Sequence, residues 1–361
     1  MFFLETSEIQ NLLSINDAIT QSMDIEPLVK LCDKVSEQLS EKDFAYTYAA
    51  CISATQNKIE NAKKLFSMNL EDTFCKMMHS YIVDTNSFDL ADTVFKSADP
   101  YSLYVQTGFF QKHLAASQKQ IRKFALGNPP ANTNETVTIV DIGVGNGVFI
   151  TELLNEIAPL HNIESFRLII IDQSEDMLNS AKQHCLKNIQ VDTEIITLKC
   201  KIQDITKEQL ETIQNDKPIW FINAALSVHH MPREKKIPML RQMGQLSPFF
   251  VLTEVNWNHD LPAKDSPELV FSVARSYSIF SKSIEELPVS EELRKICLYH
   301  FPVAEAINIF KQERSKRIDY HTTIEQWQKI GNEAGLAIYD TFPAYEYKGQ
   351  PFSFVMVFTN K

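Results

Sequence analysis

The sequence predicts an α/β fold in which a Rossmann-like sheet of about seven strands binds a ligand. From residue 137 onward, five apolar runs alternate with helical patterns, which is typical of a parallel sheet. A glycine-rich turn follows the first run, as in nucleotide-binding strand–turn–helix units. Polar residues follow the later runs at their carboxyl ends, where open α/β sheets bind their ligands.

The turn after the first strand carries the strongest ligand signal. Its candidate cofactor residues are Asp141, Gly143, Gly145 and Gly147. Only 9 of the 361 residues are glycine, so three at alternate positions indicate a backbone that a ligand approaches closely. A dinucleotide fingerprint needs a small residue where Val148 stands, and Asp141 adds a negative charge. Both features favour S-adenosylmethionine, with its sulfonium and amino group, over a dinucleotide.

The second and third strands end in further candidate cofactor residues. Residues 166–171 lead to Asp172 and Gln173, and a carboxylate at this position accepts hydrogen bonds from ribose hydroxyls. Residues 193–200 lead to Asp204, which either accepts the adenine amino group or caps the next helix. The sequence leaves both roles of Asp204 open.

The fourth and fifth strands place polar side chains at the same edge of the sheet. Residues 218–222 lead to Asn223, a further candidate for cofactor binding, and residues 249–253 lead to Glu254. Because the carboxyl ends of parallel strands converge, we expect the polar segment after the fifth strand to face the glycine turn.

The chain is expected to have two parts. Residues 1–130 show helical periodicity and form an N-terminal cap region, which ends in a linker rich in proline and asparagine. Residues 131–361 form the sheet domain, interrupted at about 262–318 by a helical insertion after the fifth strand. Two final strands, joined by a turn at Gly349, complete the sheet as a hairpin.

Charge and composition restrict the partners and the compartment. A formal net charge of −11 argues against a nucleic-acid or anionic-membrane partner. No apolar run reaches the roughly 18–20 residues of a membrane-spanning helix, and the first residues lack a basic signal-peptide region. Six scattered cysteines without a CxxC pair fit a reducing compartment and argue against structural zinc. We therefore expect a cytoplasmic monomer or homodimer.

The order of these elements resembles a class I S-adenosylmethionine-dependent methyltransferase over roughly residues 135–361. Nearly the whole chain is similar to a bacterial member of the GRAS family, whose plant regulators share the methyltransferase fold. The segments that carry the similarity include a paired-histidine stretch and a Glu-x-x-x-Asn-His stretch. In chain order they are 101–113, 222–232, 252–259, 271–280 and 327–336.

The resemblance implies two kinds of function. Many plant members have lost the glycine pattern and act as transcriptional regulators through protein contacts. This chain keeps the glycine pattern and Asp172, which favours a catalyst. The alternatives are an interaction or regulatory module that keeps the fold without catalysis, and a protein methyltransferase.

Methyl transfer to an oxygen or nitrogen acceptor defines the remaining candidate residues. Transfer from S-adenosylmethionine leaves S-adenosylhomocysteine, and the protein has to bind, orient and exclude water. An acceptor hydroxyl or amine needs a general base, and histidine suits neutral pH. The candidate catalytic residues are His259 and His230, with Glu254 orienting an imidazole. The candidate substrate-binding residues are His229, Asn256, Asn258, Arg275 and Tyr277. We expect a small-molecule acceptor enclosed by the helical caps.

Overall fold

The chain divides into two compact units, each built from two segments. The computed structural model describes residues 4–89, 103–133, 135–214, 217–347 and 349–360. The helical unit comprises Met1–Gln111 and Trp257–Asp319, and the sheet unit comprises Lys112–Asn256 and Tyr320–Lys361. The segment 101–113, which carries part of the family resemblance, begins with two residues outside the described ranges.

The helical unit contains amphipathic helices from both of its segments. Its N-terminal helices are α1 (Thr6–Thr20), α2 (Ile25–Ser36), α3 (Phe44–Thr55), α4 (Ile59–Ser67) and α5 (Thr73–Thr85). In α2 the buried side chains Leu28, Cys32 and Val35 recur at helical spacing and form one apolar face. None of the helices in the described part of the chain is long and apolar enough to cross a membrane.

The second segment of the helical unit packs directly on the first. It contains α11 (Pro267–Glu285), α12 (Glu291–Leu298) and α13 (Ala304–Lys311). The rings of Phe271 on α11 and Phe44 on α3 meet edge to face, with centroids 4.9 Å apart. The Thr73 hydroxyl donates to the carbonyl of Ser278 at 2.8 Å. The insertion after the fifth strand therefore shares a core with the N-terminal helices.

The sheet unit holds the predicted seven-stranded sheet. Its strands are β1 (Val137–Ile142), β2 (Ser165–Asp172), β3 (Asp192–Lys199), β4 (Ile219–Ala225), β5 (Phe249–Val255), β6 (Leu336–Tyr347) and β7 (Gln350–Asn360). They lie in the order β3-β2-β1-β4-β5-β7-β6, and β1 to β5 are parallel. Strand β7 is antiparallel to both β5 and β6, as a terminal hairpin requires. The α/β, Rossmann-like prediction, with its helical insertion, is confirmed.

Helices cover both faces of this sheet. They are α6 (Gly108–Gly127), α7 (Val148–Ile157), α8 (Glu175–Asn188), α9 (Lys207–Gln214), α10 (Arg233–Leu246) and α14 (Ile324–Ala334). Every residue of β1 is buried, and its side chains alternate between the faces. Ile139 belongs to the core that includes Phe124 of α6, and Val140 to the core that includes Trp327 of α14. Burial on both faces explains why the strands read as continuous apolar runs.

Helix α6 determines where the two units part. Ile121, Phe124 and Ala125 of this helix are buried in one core of the sheet. The chain therefore enters the sheet unit at Lys112, within the helix, and not at the linker near residue 130. Helical periodicity over residues 1–130 predicted helical structure here, but not the sheet that buries this helix.

Candidate functional site

The candidate site lies at the carboxyl ends of β1 and β4, where the strand order reverses. From β1 the chain runs outward to β2 and β3, and then returns to β4 on the other side of β1. Such a switch point opens a crevice, because the two connecting segments leave the sheet in opposite directions. The glycine turn between β1 and α7 occupies this position.

The three glycines of the turn have positive φ angles, but different surroundings. The φ angles are +69° at Gly143, +57° at Gly145 and +82° at Gly147. A Cβ at Gly143 would lie 2.2 Å from the Cβ of Ser227, and one at Gly147 would lie 2.8 Å from the Cα of Ala181. A Cβ at Gly145 would meet no atom within 4 Å. Packing therefore requires two of the glycines, whereas Gly145 faces open space.

Asp172 at the end of β2 joins the glycine turn to the second strand. One carboxylate oxygen accepts a hydrogen bond from the backbone N–H of Ser174 at 2.9 Å. The other lies 3.4 Å from the backbone nitrogen of Gly145. A carboxylate has about four acceptor positions, so Asp172 keeps capacity for ribose hydroxyls. Its neighbour Gln173 is exposed.

A buried polar pair lies beneath the turn, between β1 and β4. Asp141 and Asn223 are register partners, and the Asn223 amide donates to the Asp141 carboxyl at 2.6 Å. Burial raises the pKa of Asp141 to about 7; the hydrogen bond from Asn223 opposes this shift, and the charge of Asp172 adds to it. The amide oxygen of Asn223 is buried and has no hydrogen-bond partner among the described residues.

Asp204 follows β3 in a short 3-10 turn, Ile202–Asp204, and its side chain is exposed. The helix that follows is capped by Thr206, whose hydroxyl accepts the backbone N–H of Gln209 at 3.2 Å, so the helix-capping role does not fall to Asp204. Its adenine-binding role is not tested by these contacts. Its function stays a prediction from the sequence.

Glu254 at the end of β5 orients an imidazole, and that imidazole belongs to His229. The carboxylate accepts the backbone N–H groups of Val228 and His229, each at 3.1 Å. Its second oxygen lies 3.0 Å from Nδ1 of His229. Burial alone would raise the pKa of Glu254, but the charge and hydrogen bond of His229, together with the charges of Lys236 and His230, outweigh it and lower the pKa. His230 is exposed, with its ring centroid 4.1 Å from that of His229.

Asn256 is held by the backbone on both sides. Its amide donates to the carbonyl of Pro351 at 3.1 Å, and its oxygen accepts the N–H of Ile324 at 3.0 Å. These bonds join the end of β5 to the β6–β7 hairpin and to the first residue of α14. The side chain thus has a structural role in this state, and substrate binding by Asn256 stays a prediction.

Four predicted site residues lie in the helical unit and not in the sheet unit. They are Asn258, His259, Arg275 and Tyr277. His259 is fully buried, and its carbonyl accepts a hydrogen bond from Arg317 at 3.0 Å. The hydroxyl of Tyr277 donates to Glu305 at 3.0 Å, and the guanidinium of Arg275 pairs with Asp72 at 3.0 Å.

These contacts describe how the four residues are held in the unit. Arg275 also pairs with Glu41, and the backbone N–H of Asn258 donates to the Ser272 hydroxyl at 3.2 Å. The catalytic and substrate-binding roles of these four residues remain predictions from the sequence.

Two residues of the sheet site were missed by sequence reasoning. Ser227 occupies the space beside Gly143 and donates to the carbonyl of Ile142 at 2.8 Å. His321 lies where the chain re-enters the sheet unit, and its ring stacks on that of His229 with centroids 4.2 Å apart. No local pattern marks His321, because 91 residues separate the two histidines in the sequence.

Comparison with known proteins identifies the family. A model described as the GRAS domain family matches residues 59–343, which is most of the chain. This chain belongs to the GRAS domain family. The crystal structure of SCL7 from Oryza sativa matches with a TM-score of 0.60 and 14% identity, covering 98% of this chain and 100% of that chain. At this identity the similarity shows the fold alone.

Weaker matches come from methyltransferase structures. The CMeT domain of the citrinin polyketide synthase gives a TM-score of 0.47 at 14% identity, covering 92% of this chain and 69% of that chain. Magnesium protoporphyrin IX methyltransferase from Synechocystis PCC 6803, with bound SAH, gives 0.42 at 13% identity, covering 74% and 96%. A search of curated proteins finds no match.

Proposed function

We propose that this GRAS-family chain binds S-adenosylmethionine at the glycine turn and transfers its methyl group to an oxygen or nitrogen acceptor, a small molecule. The observation that carries the proposal is the open face of Gly145. Its backbone has a left-handed φ angle, an added Cβ meets no atom, and the Asp172 carboxylate lies beside it. A nucleoside can therefore lie against this backbone at the switch point.

The buried pair beneath the turn fits the charged part of this cofactor. Asp141 supplies a carboxyl group, and Asn223 supplies an amide oxygen that lacks a hydrogen-bond partner within the described ranges. An ammonium group provides both the donors and the positive charge that such a pair accepts. A pyrophosphate would place negative charge against Asp141, so the pair supports S-adenosylmethionine over a dinucleotide.

The residues of the sheet unit would each have a distinct binding role. Asp172 would hold the ribose hydroxyls, with Gln173 next to it, and Asp204 would accept the adenine amino group. When bound, the cofactor supplies a methyl group on a positively charged sulfur. The chain's own task is to position this group and exclude water. The general base, whether His230 or His259, remains part of the proposal.

Calorimetric titration with S-adenosylmethionine tests the proposal. We expect the wild type to bind one equivalent, and Gly145→Arg to abolish binding because the new side chain fills the space that the ligand needs. Gly349→Arg is a matched control: its φ angle is +73°, and a Cβ there also meets no atom within 4 Å. The control should bind as the wild type does. No binding by wild type, or equal binding by Gly145→Arg, would contradict the proposal.

Family membership supports a second candidate function. As in the plant GRAS regulators, the chain could keep the methyltransferase fold and act through protein contacts without catalysis. Binding of S-adenosylmethionine without methyl transfer to any acceptor tested would favour this regulatory role.

A further inference from the structure

We propose that the sheet unit contains a divalent transition-metal site, formed by His229, Glu254 and His321, which takes a zinc ion. The proposal goes beyond cofactor binding and does not depend on it. The three residues come from the turn after β4, from the end of β5 and from the segment that re-enters the unit. Their nitrogen and oxygen donor atoms all lie within 4.8 Å of one another.

The spacing of the donor atoms suits a metal ion. Two ligands of a tetrahedral zinc ion, bound at about 2.0 Å, are separated by about 3.3 Å. Nδ1 of His229 lies 3.0 Å from one oxygen of Glu254. The His321 ring stacks on the His229 ring at an interplanar angle of 24°, and a donor nitrogen of His321 lies within 4.8 Å of the Glu254 carboxylate. Small side-chain rotations would complete the site.

The ligands are already held by neighbouring groups. The other oxygen of Glu254 accepts the N–H groups of Val228 and His229, which leaves the oxygen nearest the imidazole directed at the site. The backbone N–H of Tyr320 donates to the carbonyl of His229 at 2.7 Å, and this bond fixes the residue before His321 against the turn. Such supporting hydrogen bonds orient metal ligands and raise affinity.

Burial and charge are compatible with the site. Glu254 is 1% exposed and His321 is 6% exposed, so water competes little for their donor atoms. The ammonium of Lys236 is also buried, but it donates to the carbonyl of Tyr320 at 2.5 Å and to the hydroxyl of Thr322. These hydrogen bonds hold the segment that carries His321 in place. The positive charge of Lys236 reduces the attraction of the site for a cation.

The ligand set selects the class of metal. Two imidazole nitrogens and one carboxylate oxygen suit borderline divalent ions such as zinc, whereas calcium and magnesium require mainly oxygen ligands. Three protein ligands leave at least one coordination position for water or for an atom of a small molecule. Only the last step, that a methyl acceptor takes this position, would rest on the proposed function.

Metal titration of the full chain tests the site without any cofactor. The protein, purified without a polyhistidine tag, is stripped with a chelator and titrated with zinc chloride by calorimetry. We expect one ion per chain, and we expect His321→Ala and Glu254→Gln each to weaken binding at least tenfold. His184→Ala, which removes an imidazole on α8, is the matched control and should bind as the wild type does.

Two results would overturn the proposal. One is absence of zinc binding by the stripped wild type. The other is equal binding by wild type, His321→Ala and Glu254→Gln, since this would mean that zinc binds elsewhere. Because Gln at position 254 can still accept the N–H groups of residues 228 and 229, Glu254→Gln keeps the test valid if His321→Ala does not fold.

Cobalt chloride serves as an independent probe, as a visible absorption band from bound Co²⁺ should appear in the wild type and the control alone.

Discussion

Cofactor affinity should depend on pH through Asp141. This carboxyl is buried beneath the glycine turn, and its pKa is raised to about 7 by burial. A cationic ligand favours the ionised carboxylate and lowers its pKa on binding. Binding therefore releases a proton, so affinity rises as pH increases through the pKa of the free protein.

The size of the effect follows from the fraction of ionised Asp141. With a pKa of about 7, roughly a tenth of the carboxyls are ionised at pH 6 and roughly nine-tenths at pH 8. If only the ionised form binds, affinity for S-adenosylmethionine should rise about tenfold over this interval, or about 1.4 kcal/mol.

The assay is calorimetric titration at pH 6, 7 and 8 with the wild type and Asp141→Asn. The variant keeps the shape of the side chain but cannot ionise, so any pH dependence that remains belongs to the ligand or to other groups. The difference between the two proteins isolates Asp141. Equal pH dependence of the affinity in both proteins would refute the reasoning. So would a wild-type affinity that falls, relative to the affinity of the variant, as the pH rises from 6 to 8.

Two further predictions concern the turn itself. Gly143→Ala should lower the free energy of unfolding, measured in urea, by about 2–4 kcal/mol, because the new Cβ would lie 2.2 Å from Ser227. A second substitution in the same chain, Ser227→Gly, should restore part of this loss. An unchanged urea midpoint for Gly143→Ala would contradict the prediction. Asp172→Ala should weaken S-adenosylmethionine binding by about 1–3 kcal/mol through lost ribose hydrogen bonds. The variant Asp172→Asn should retain its fold, because its side chain can still accept the N–H of Ser174. If Asp172→Ala and Asp172→Asn both bind S-adenosylmethionine with unchanged affinity, the carboxylate has a structural role only.

Local sequence patterns were sufficient to predict the sheet and the turn. Buried strands appear as apolar runs because helices cover both faces, and the positions after those runs mark one edge of the sheet. The pairing of Asp141 with Asn223 follows from this order, since β1 and β4 are neighbours. The sequence could not show that Gly145 faces open space whereas Gly143 and Gly147 are closely packed. That difference arises from contacts with Ser227 and Ala181, which lie far away in the sequence.

Contacts between distant segments were not predictable. The sequence indicated that Glu254 orients an imidazole, but the short turn at Val228–His230 determines that this imidazole is His229. His321 reaches the same position only because the chain re-enters the sheet unit at Tyr320. Helix α6 shows the same limit, since helical periodicity did not reveal which unit would bury it.

A crystal structure of the protein grown with S-adenosylhomocysteine would test the central claim most directly. The account predicts density for the nucleoside at the carboxyl ends of β1, β2 and β4, with the ribose at Asp172 and the amino group near Asp141 and Asn223. Ligand density at another location would contradict it. So would a crystal grown at a saturating ligand concentration that shows an unchanged glycine turn and no ligand density there.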